Sequence, residues 1–146
     1  MELSKLEQSF KLNIFNTEDD VKIHFHSDIV KPILEEVNPT MVSQYRSEDN
    51  LLAGGRTDAT FQNISFELKK LGYFKTSNGI KEALYGRNEK AHGLYDYIIS
   101  NSGVSTTDAP EIMQSKLLNS IGVGFDGDSF IFARFMPSST FHKINT

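Results

Sequence analysis

The segment Leu52–Lys70, LAGGRTDATFQNISFELKK, constrains the fold more than any other part of the chain. It reads as two short strands joined by a tight turn at Gln62 and Asn63. Successive side chains alternate across a strand, so Ile64, Phe66 and Leu68 share one face and Ser65, Glu67 and Lys69 share the other. Antiparallel pairing of the first strand brings Asp58 toward Glu67 and Lys69. Two carboxylates and an ammonium then occupy one small space. Like charges about 4 Å apart repel by roughly 4 kcal/mol at an effective dielectric near 20, so the cluster predicts a cation between the carboxylates.

An Asp followed nine positions later by Glu-x-Lys, on a hairpin with a glycine-rich approach, resembles the core of the PD-(D/E)XK, or restriction-endonuclease-like, nucleases. The GGRTD run and the hydrophobic strand ending in ELK are similar to the N-terminal nuclease domain of type I restriction motor subunits and of fused restriction-modification enzymes. Thr57 replaces the proline that names the motif. The resemblance implies that Asp58, Glu67 and Lys69 are catalytic. It further implies one or two Mg²⁺ ions, with Mn²⁺ as substitute, on Asp58, Glu67 and the backbone carbonyl of Leu68. TEDDVKIHFHSDIVKPIL is similar to the first helix of the same families, where a glutamate near the helix start reaches toward the metal; here that is Glu18. A capping and dipole role for Glu18 stands equally open, and Glu35 and Glu36 are alternatives at the other end. GRNEKAHGLYDYI resembles the helix after the catalytic strand, with His92 near a Gln position and Tyr95 to Tyr97 near an aromatic one. Arg87 and Lys90 would face phosphate. In all, the resemblance covers Thr17 to Phe135.

A D-x8-E-x-K string alone arises by chance in a chain that is 23% charged. The alternatives are a non-catalytic nucleic-acid-binding or assembly module that keeps the fold, and an enzyme of another fold using the acidic pair.

Around this centre the periodicities predict a helix–sheet alternation. Residues Leu3–Phe15 read as a short helix or an arm. Thr17 is placed to cap a helix by accepting from the Asp20 amide, with Glu18, Asp19 and Asp20 at the favourable end of the dipole. Val21, Phe25, Ile29 and Ile33, seconded by Val30, Leu34 and Val37, form an apolar stripe that Pro32 should kink or split. His24 and His26, two apart, diverge on a helix and read as solvated or packing residues. After Asn38-Pro39, Met41–Glu48 reads as the first strand, with Arg46 and Glu48 toward solvent or the cleft. Gly72–Gly79 reads as a loop. Ile80–Ser102 reads as a short helix then a longer one, weakened at Gly86 and Gly93, with an apolar face of Ala83, Leu84, Ala91, Leu94, Tyr95, Ile98 and Ile99. Asp108 is expected to cap a helix with Pro110 in its first turn, running to about Asn119. Ile121–Phe135 reads as a hairpin with a type I′ turn at Asp126-Gly127, its second strand buried on both faces. Similar DG hairpins end the restriction-type domains.

The 146 residues suit one domain, expected to be the N-terminal part of a longer polypeptide because MPSSTFHKINT trails off in polar residues. Cysteine is absent, which excludes a disulfide framework, a thiolate metal site and a cysteine nucleophile. No apolar run approaches the roughly 20 residues that span a bilayer, and a cytoplasmic, non-membrane setting is expected. A net charge of −4 sits poorly with a polyanion, so sequence recognition is expected from further domains, a partner subunit or a local basic stripe. The resulting expectation is an α/β domain, a central mixed β-sheet flanked by helices and restriction-endonuclease-like. It would act as a Mg²⁺-dependent endodeoxyribonuclease on DNA in restriction or phage defence.

Overall fold

The structure, a computed structural model, describes residues 17–47 and 58–137. The GGRT approach to Asp58, Glu48, the Leu3–Phe15 segment and the tail from 138 onward lie outside the described residues. Among those described, the chain runs α1 (Glu18–His24), a π-helical turn (Phe25–Val30), α2 (Lys31–Val37), a 3₁₀ segment (Pro39–Gln44), β1 (Tyr45–Ser47), β2 (Ala59–Phe61) and β3 (Ile64–Leu68). A 3₁₀ turn (Tyr73–Lys75), α3 (Ser77–Tyr85), α4 (Leu94–Ser102), α5 (Pro110–Leu118), β4 (Ile121–Phe125) and β5 (Phe130–Arg134) follow. None of the described helices is long and apolar enough to cross a membrane.

The strands form one mixed sheet in the order β1-β2-β3-β4-β5, an α/β architecture. All neighbours are antiparallel except β3 and β4, which pair in parallel from Ile64↔Ile121 to Leu68↔Phe125. The three helices α3 to α5 lie between those two strands in the chain, as a parallel connection requires. The predicted turn at Gln62-Asn63 is present, Gln62 adopting φ +51° between the pair Phe61↔Ile64.

Each face of the sheet buries against a helix. On one, Val21 and Phe25 of the first helical stretch pack with Ala59, Phe66, Leu68, Val123 and Phe125. On the other, Leu94, Tyr97 and Ile98 of α4 pack with Ala133. Gly122 is what lets α4 approach: a Cβ there would stand 2.6 Å from Leu94 Cγ and 2.8 Å from Ile98 Cδ1.

The N-terminal cap forms as the sequence predicts, with Thr17 Oγ1 accepting from the Asp20 amide at 3.1 Å and the Asp20 carboxylate accepting from the Thr17 amide at 2.8 Å. The apolar stripe follows the prediction only as far as Ile29. The amide of Lys31 donates to the carbonyl of His26, five residues back, so the turn holds one extra residue and the buried face advances by one position. Val30 and Leu34 therefore pack inward, whereas Ile33 and Val37 are exposed. Pro32, which cannot donate, sits in the first turn of α2 directly after this widened turn, so the helix is split in type.

Other expectations are corrected. Met41–Gln44 is 3₁₀ helix, because Pro39 starts the turn and the Asn38 side chain accepts from the Thr40 amide at 3.1 Å; the strand is only Tyr45–Ser47. The presumed loop 72–79 already contains a 3₁₀ turn and the start of α3, since Thr76 Oγ1 caps the Gly79 amide at 3.0 Å. That helix ends where Gly86 takes φ +86°, and α3 and α4 are equally long, nine residues each. Tyr97 is buried in α4 while Ile99 is exposed. Asp108 does not cap α5; Ala109 holds that position, and the Asp108 carboxylate instead accepts from the Ser105 amide at 2.9 Å and pairs with Lys116 at 2.8 Å.

The last hairpin forms, but not on a two-residue type I′ turn. Its final pair is Phe125↔Phe130, leaving Asp126–Ser129 as the connection with positive φ at Gly127 alone. Its second strand is also not buried on both faces. β5 is the last strand in the order, beyond the reach of the first helical stretch, so Phe130 and Arg134 are exposed and Phe132 is 75% exposed.

Candidate functional site

The predicted cluster assembles at the end of β3. Glu67 and Lys69 share a face as the alternation requires, and Lys69 Nζ lies 2.5 Å from Glu67 Oε1. Asp58 stands one step beyond the last β2–β3 pair, opposite Glu67. Its Oδ2 accepts the amide N–H of Leu68 at 2.6 Å, which ties the start of β2 to the end of β3. Leu68 meets the cluster through that amide, with its side chain in the core.

Glu18 reaches the same place from the opposite layer. As the first residue of α1 it is held by the Thr17 cap and points toward Lys22, one turn on, at 3.4 Å. Lys22 Nζ also lies 2.9 Å from Asp58 Oδ1. The ammonium of Lys22 therefore joins Asp58 to Glu18, and not Asp58 to Glu67, the pair between which the sequence predicts a cation. Sequence reading passed over Lys22, although the i, i+4 spacing from Glu18 was visible; what could not be read was the bridge to Asp58.

A cleft of about 360 Å³ opens beside this cluster, lined by Glu18, Glu67, Lys69, Tyr73, Arg87 and His92 among others. Asp58 and Lys22 lie outside its lining. On the far wall the Tyr73 hydroxyl donates to Glu82, and Arg87 Nε donates to Glu82 Oε2 at 3.2 Å. Lys69 Nζ sits 5.9 Å from the Tyr73 ring centre, in range of a cation–π contact. His92 Nδ1 stands 3.6 Å from Asp96. Of the basic residues expected to face phosphate, Arg87 lines the cleft and Lys90 does not. Glu35 and Glu36, the alternatives to Glu18, lie on exposed positions of α2 away from it.

Tyr73 was read as loop and is a wall residue. Its position depends on Asp126, a fully buried residue whose carboxylate accepts the amides of Phe74 at 2.8 Å, Asp128 at 3.1 Å and Ser129 at 2.7 Å. The histidines of the first helical stretch are engaged elsewhere, His24 with Asp28 at 2.6 Å and His26 with the Tyr45 hydroxyl, as packing histidines.

Burial dominates the electrostatics of Glu67. Desolvation raises its pKa to about 7 against the lowering effect of Lys69, and the negative charges of Asp58 and Glu18 push the same way as burial. At neutral pH Glu67 is thus poised between protonation states. For Lys69 burial works against the charge, but Glu67 outweighs it and the ammonium is held above its ordinary pKa. Lys22 behaves likewise, with burial opposed by Asp58 and Glu18. Tyr97 is raised mainly by burial and then by Glu67, so its phenol stays neutral beside the carboxylate.

Three carboxylates from two layers offer hard oxygen donors of the kind Mg²⁺ takes. Among the described residues no three His, Cys, Asp or Glu side chains form a group that could hold a metal ion. Comparison with family models, with curated proteins and with solved structures found no match to this chain.

Proposed function

We propose that this chain is a metal-dependent endonuclease domain of restriction-endonuclease-like fold that hydrolyses DNA phosphodiester bonds, in a restriction or phage-defence setting. The observation that carries the reading is the convergence of Glu67 and Lys69 from one strand end with Asp58 and Glu18, beside a cleft that Arg87 also lines. Charged side chains gathered beside a cleft are the arrangement in which catalytic carboxylates are found.

Asp58 and Glu67, with the Leu68 carbonyl and Glu18 as an outer carboxylate, would hold Mg²⁺ or Mn²⁺. When bound, the metal supplies Lewis-acid polarisation of the phosphate and a more acidic attacking water. The chain's own groups do the rest. Lys69 orients the water and offsets charge developing on phosphate, and Arg87 on the far wall binds a neighbouring phosphate oxygen.

The test is divalent-dependent nicking of plasmid DNA by this chain, or by a longer polypeptide that carries it. Glu67→Ala should abolish both Mn²⁺ binding and cleavage. Lys69→Ala should abolish cleavage and leave binding intact, perturbing transition-state charge alone. Unimpaired cutting by Lys69→Ala would end the reading.

A second reading has its own support. Both Asp58 oxygens are already engaged, by Leu68 and Lys22, as suits a non-catalytic binding or assembly module. Absence of cleavage together with divalent-independent DNA binding would favour it.

A further inference from the structure

We propose that a second surface, a shallow aromatic groove built by Tyr85, Tyr95 and Phe135 and bordered by Arg134, binds single-stranded DNA by stacking an unpaired base on Tyr85. The proposal rests on the reading of the neighbouring cleft as a DNA-cutting site and adds the form in which the strand beside the cut is held.

The sequence builds the groove from two helix ends and the end of β5. The chain leaves α3 at Gly86 so close to the start of α4 that a Cβ on Gly86 would stand 1.9 Å from the Ala91 carbonyl oxygen, and one on Gly93 would stand 2.5 Å from the Gly86 nitrogen. This close approach lays Tyr85, the last residue of α3, on Tyr95 in the first turn of α4. Their ring centres are 5.2 Å apart and their planes 24° from parallel. Phe135, just past β5, supports Tyr95 edge-on at 5.4 Å. The groove has a volume of about 510 Å³, and Ile99 and Met136 complete its lining.

What the groove offers selects its occupant. Tyr95 and Phe135 are half-buried, but Tyr85 is 59% exposed with one side stacked, a platform for a second flat group. Among the described residues lining the groove, Arg134 is the one charged side chain; it is exposed and forms no ion pair with any of them. Asp96, the acid next to Tyr95, is turned to the start of α4, where it accepts from the Gly93 amide at 3.1 Å and faces His92 at 3.6 Å. A flat ring beside an unpaired cation suits a nucleobase and its phosphate. A sugar ring would call for several polar side chains along the wall, which is aromatic and aliphatic instead. A base reaches such a platform only where it is unpaired, so the fit is to a single strand. Position agrees with chemistry. Tyr85 lines the groove, while the next two residues, Gly86 and Arg87, line the cleft, so a strand lying in the cleft need cross only the α3–α4 connection to reach Tyr85.

The experiment is fluorescence anisotropy with a dye-labelled oligothymidylate of about 15 nucleotides, set against a duplex of the same length, without divalent ions so that nothing is cut. The parent should bind the single strand more tightly than the duplex. Tyr85→Leu, which keeps apolar bulk but removes the ring face, should weaken single-strand binding about tenfold, while Tyr85→Phe keeps it. Arg134→Met should weaken it as well and make what remains less dependent on salt. The chain has no tryptophan, so tyrosine emission can be read directly; the strand should quench part of it in the parent and less in Tyr85→Leu. Single-strand affinity equal in Tyr85→Leu and the parent overturns the platform, and so does tighter binding of the duplex. Should Tyr85→Leu fail to fold, Arg134→Met carries the test, and unchanged affinity and salt dependence overturn the proposal. Failure of the parent to bind either form overturns it too, and divalent-dependent plasmid nicking then decides the cleft on its own. Single-strand binding through Tyr85 without nicking supports the platform and removes the cutting site beside it.

Discussion

The two hairpins of the sheet each bury a carboxylate, and they do so to opposite ends. Asp126, after β4, is enclosed by three backbone amides at hydrogen-bond distance and faces no open space. Glu67, at the end of β3, is 4% exposed, paired with one lysine, pressed by two neighbouring acids and open to a cleft. Amides are fixed, neutral donors that fasten a loop. A lysine and a cleft instead leave the proton balance adjustable. The difference separates a carboxylate that builds the fold from one available for chemistry, although an Asp and a Glu near strand ends look alike in sequence.

The largest effect should come from breaking the structural member. Asp126→Ala leaves three amides without their acceptor, the buried one of Phe74 and the part-buried ones of Asp128 and Ser129; at roughly 1–3 kcal/mol for a buried unpaired donor and less where water can reach, the loss should be about 2–3 kcal/mol. Urea unfolding measures it, and a loss under about 1 kcal/mol would show that the amides find water readily.

Glu67 should show its character through pH. Its folded pKa is raised from 4.5 to about 7, so between those values the unfolded chain releases the proton that the folded chain keeps. Its contribution to stability should be greatest below about 4.5, fall by up to roughly 1.4 kcal/mol per pH unit as pH rises toward 7, and level off beyond. In Glu67→Gln this component should vanish, so the variant gains on the parent as pH rises. Parallel stability–pH curves for the two proteins would place Glu67 with Asp126 as a structural acceptor.

The smallest effect lies on the outer strand of the β4–β5 hairpin. Phe132→Ser, on exposed β5, should change stability by less than about 0.5 kcal/mol. Thermal unfolding of this variant beside the parent decides whether β5 is as open as its exposure states.

What the sequence made legible was local. The Thr17 cap, the Gln62-Asn63 turn and the shared face of Glu67 and Lys69 depend on residues a few positions apart, where alternation and capping rules act. The widened turn at Phe25–Val30 escaped because an ideal period assigns Ile33 and Leu34 to faces that one inserted residue exchanges. Asp126 escaped because its decisive partner, the Phe74 amide, is 52 residues away, and a DG pair signals a turn whatever its carboxylate does. Lys22 escaped for the same reason, since nothing near it in the chain announces Asp58.

The parallel joint between β3 and β4 also bears on the order in which the molecule assembles. β2 and β3 close through a two-residue turn, whereas β4 can dock only after the whole helical connection from Tyr73 to Leu118 has been drawn in, at a greater entropic cost. The acidic hairpin is therefore expected to form before the layer that dries it, spending the early part of folding in water, where its charges are cheap. Refolding kinetics can read this: changes at the Gln62-Asn63 turn should slow folding, while Val123→Ala should act mainly by hastening unfolding. A chain built in this order exposes its carboxylates to low dielectric only once Lys69 and Lys22 can reach them.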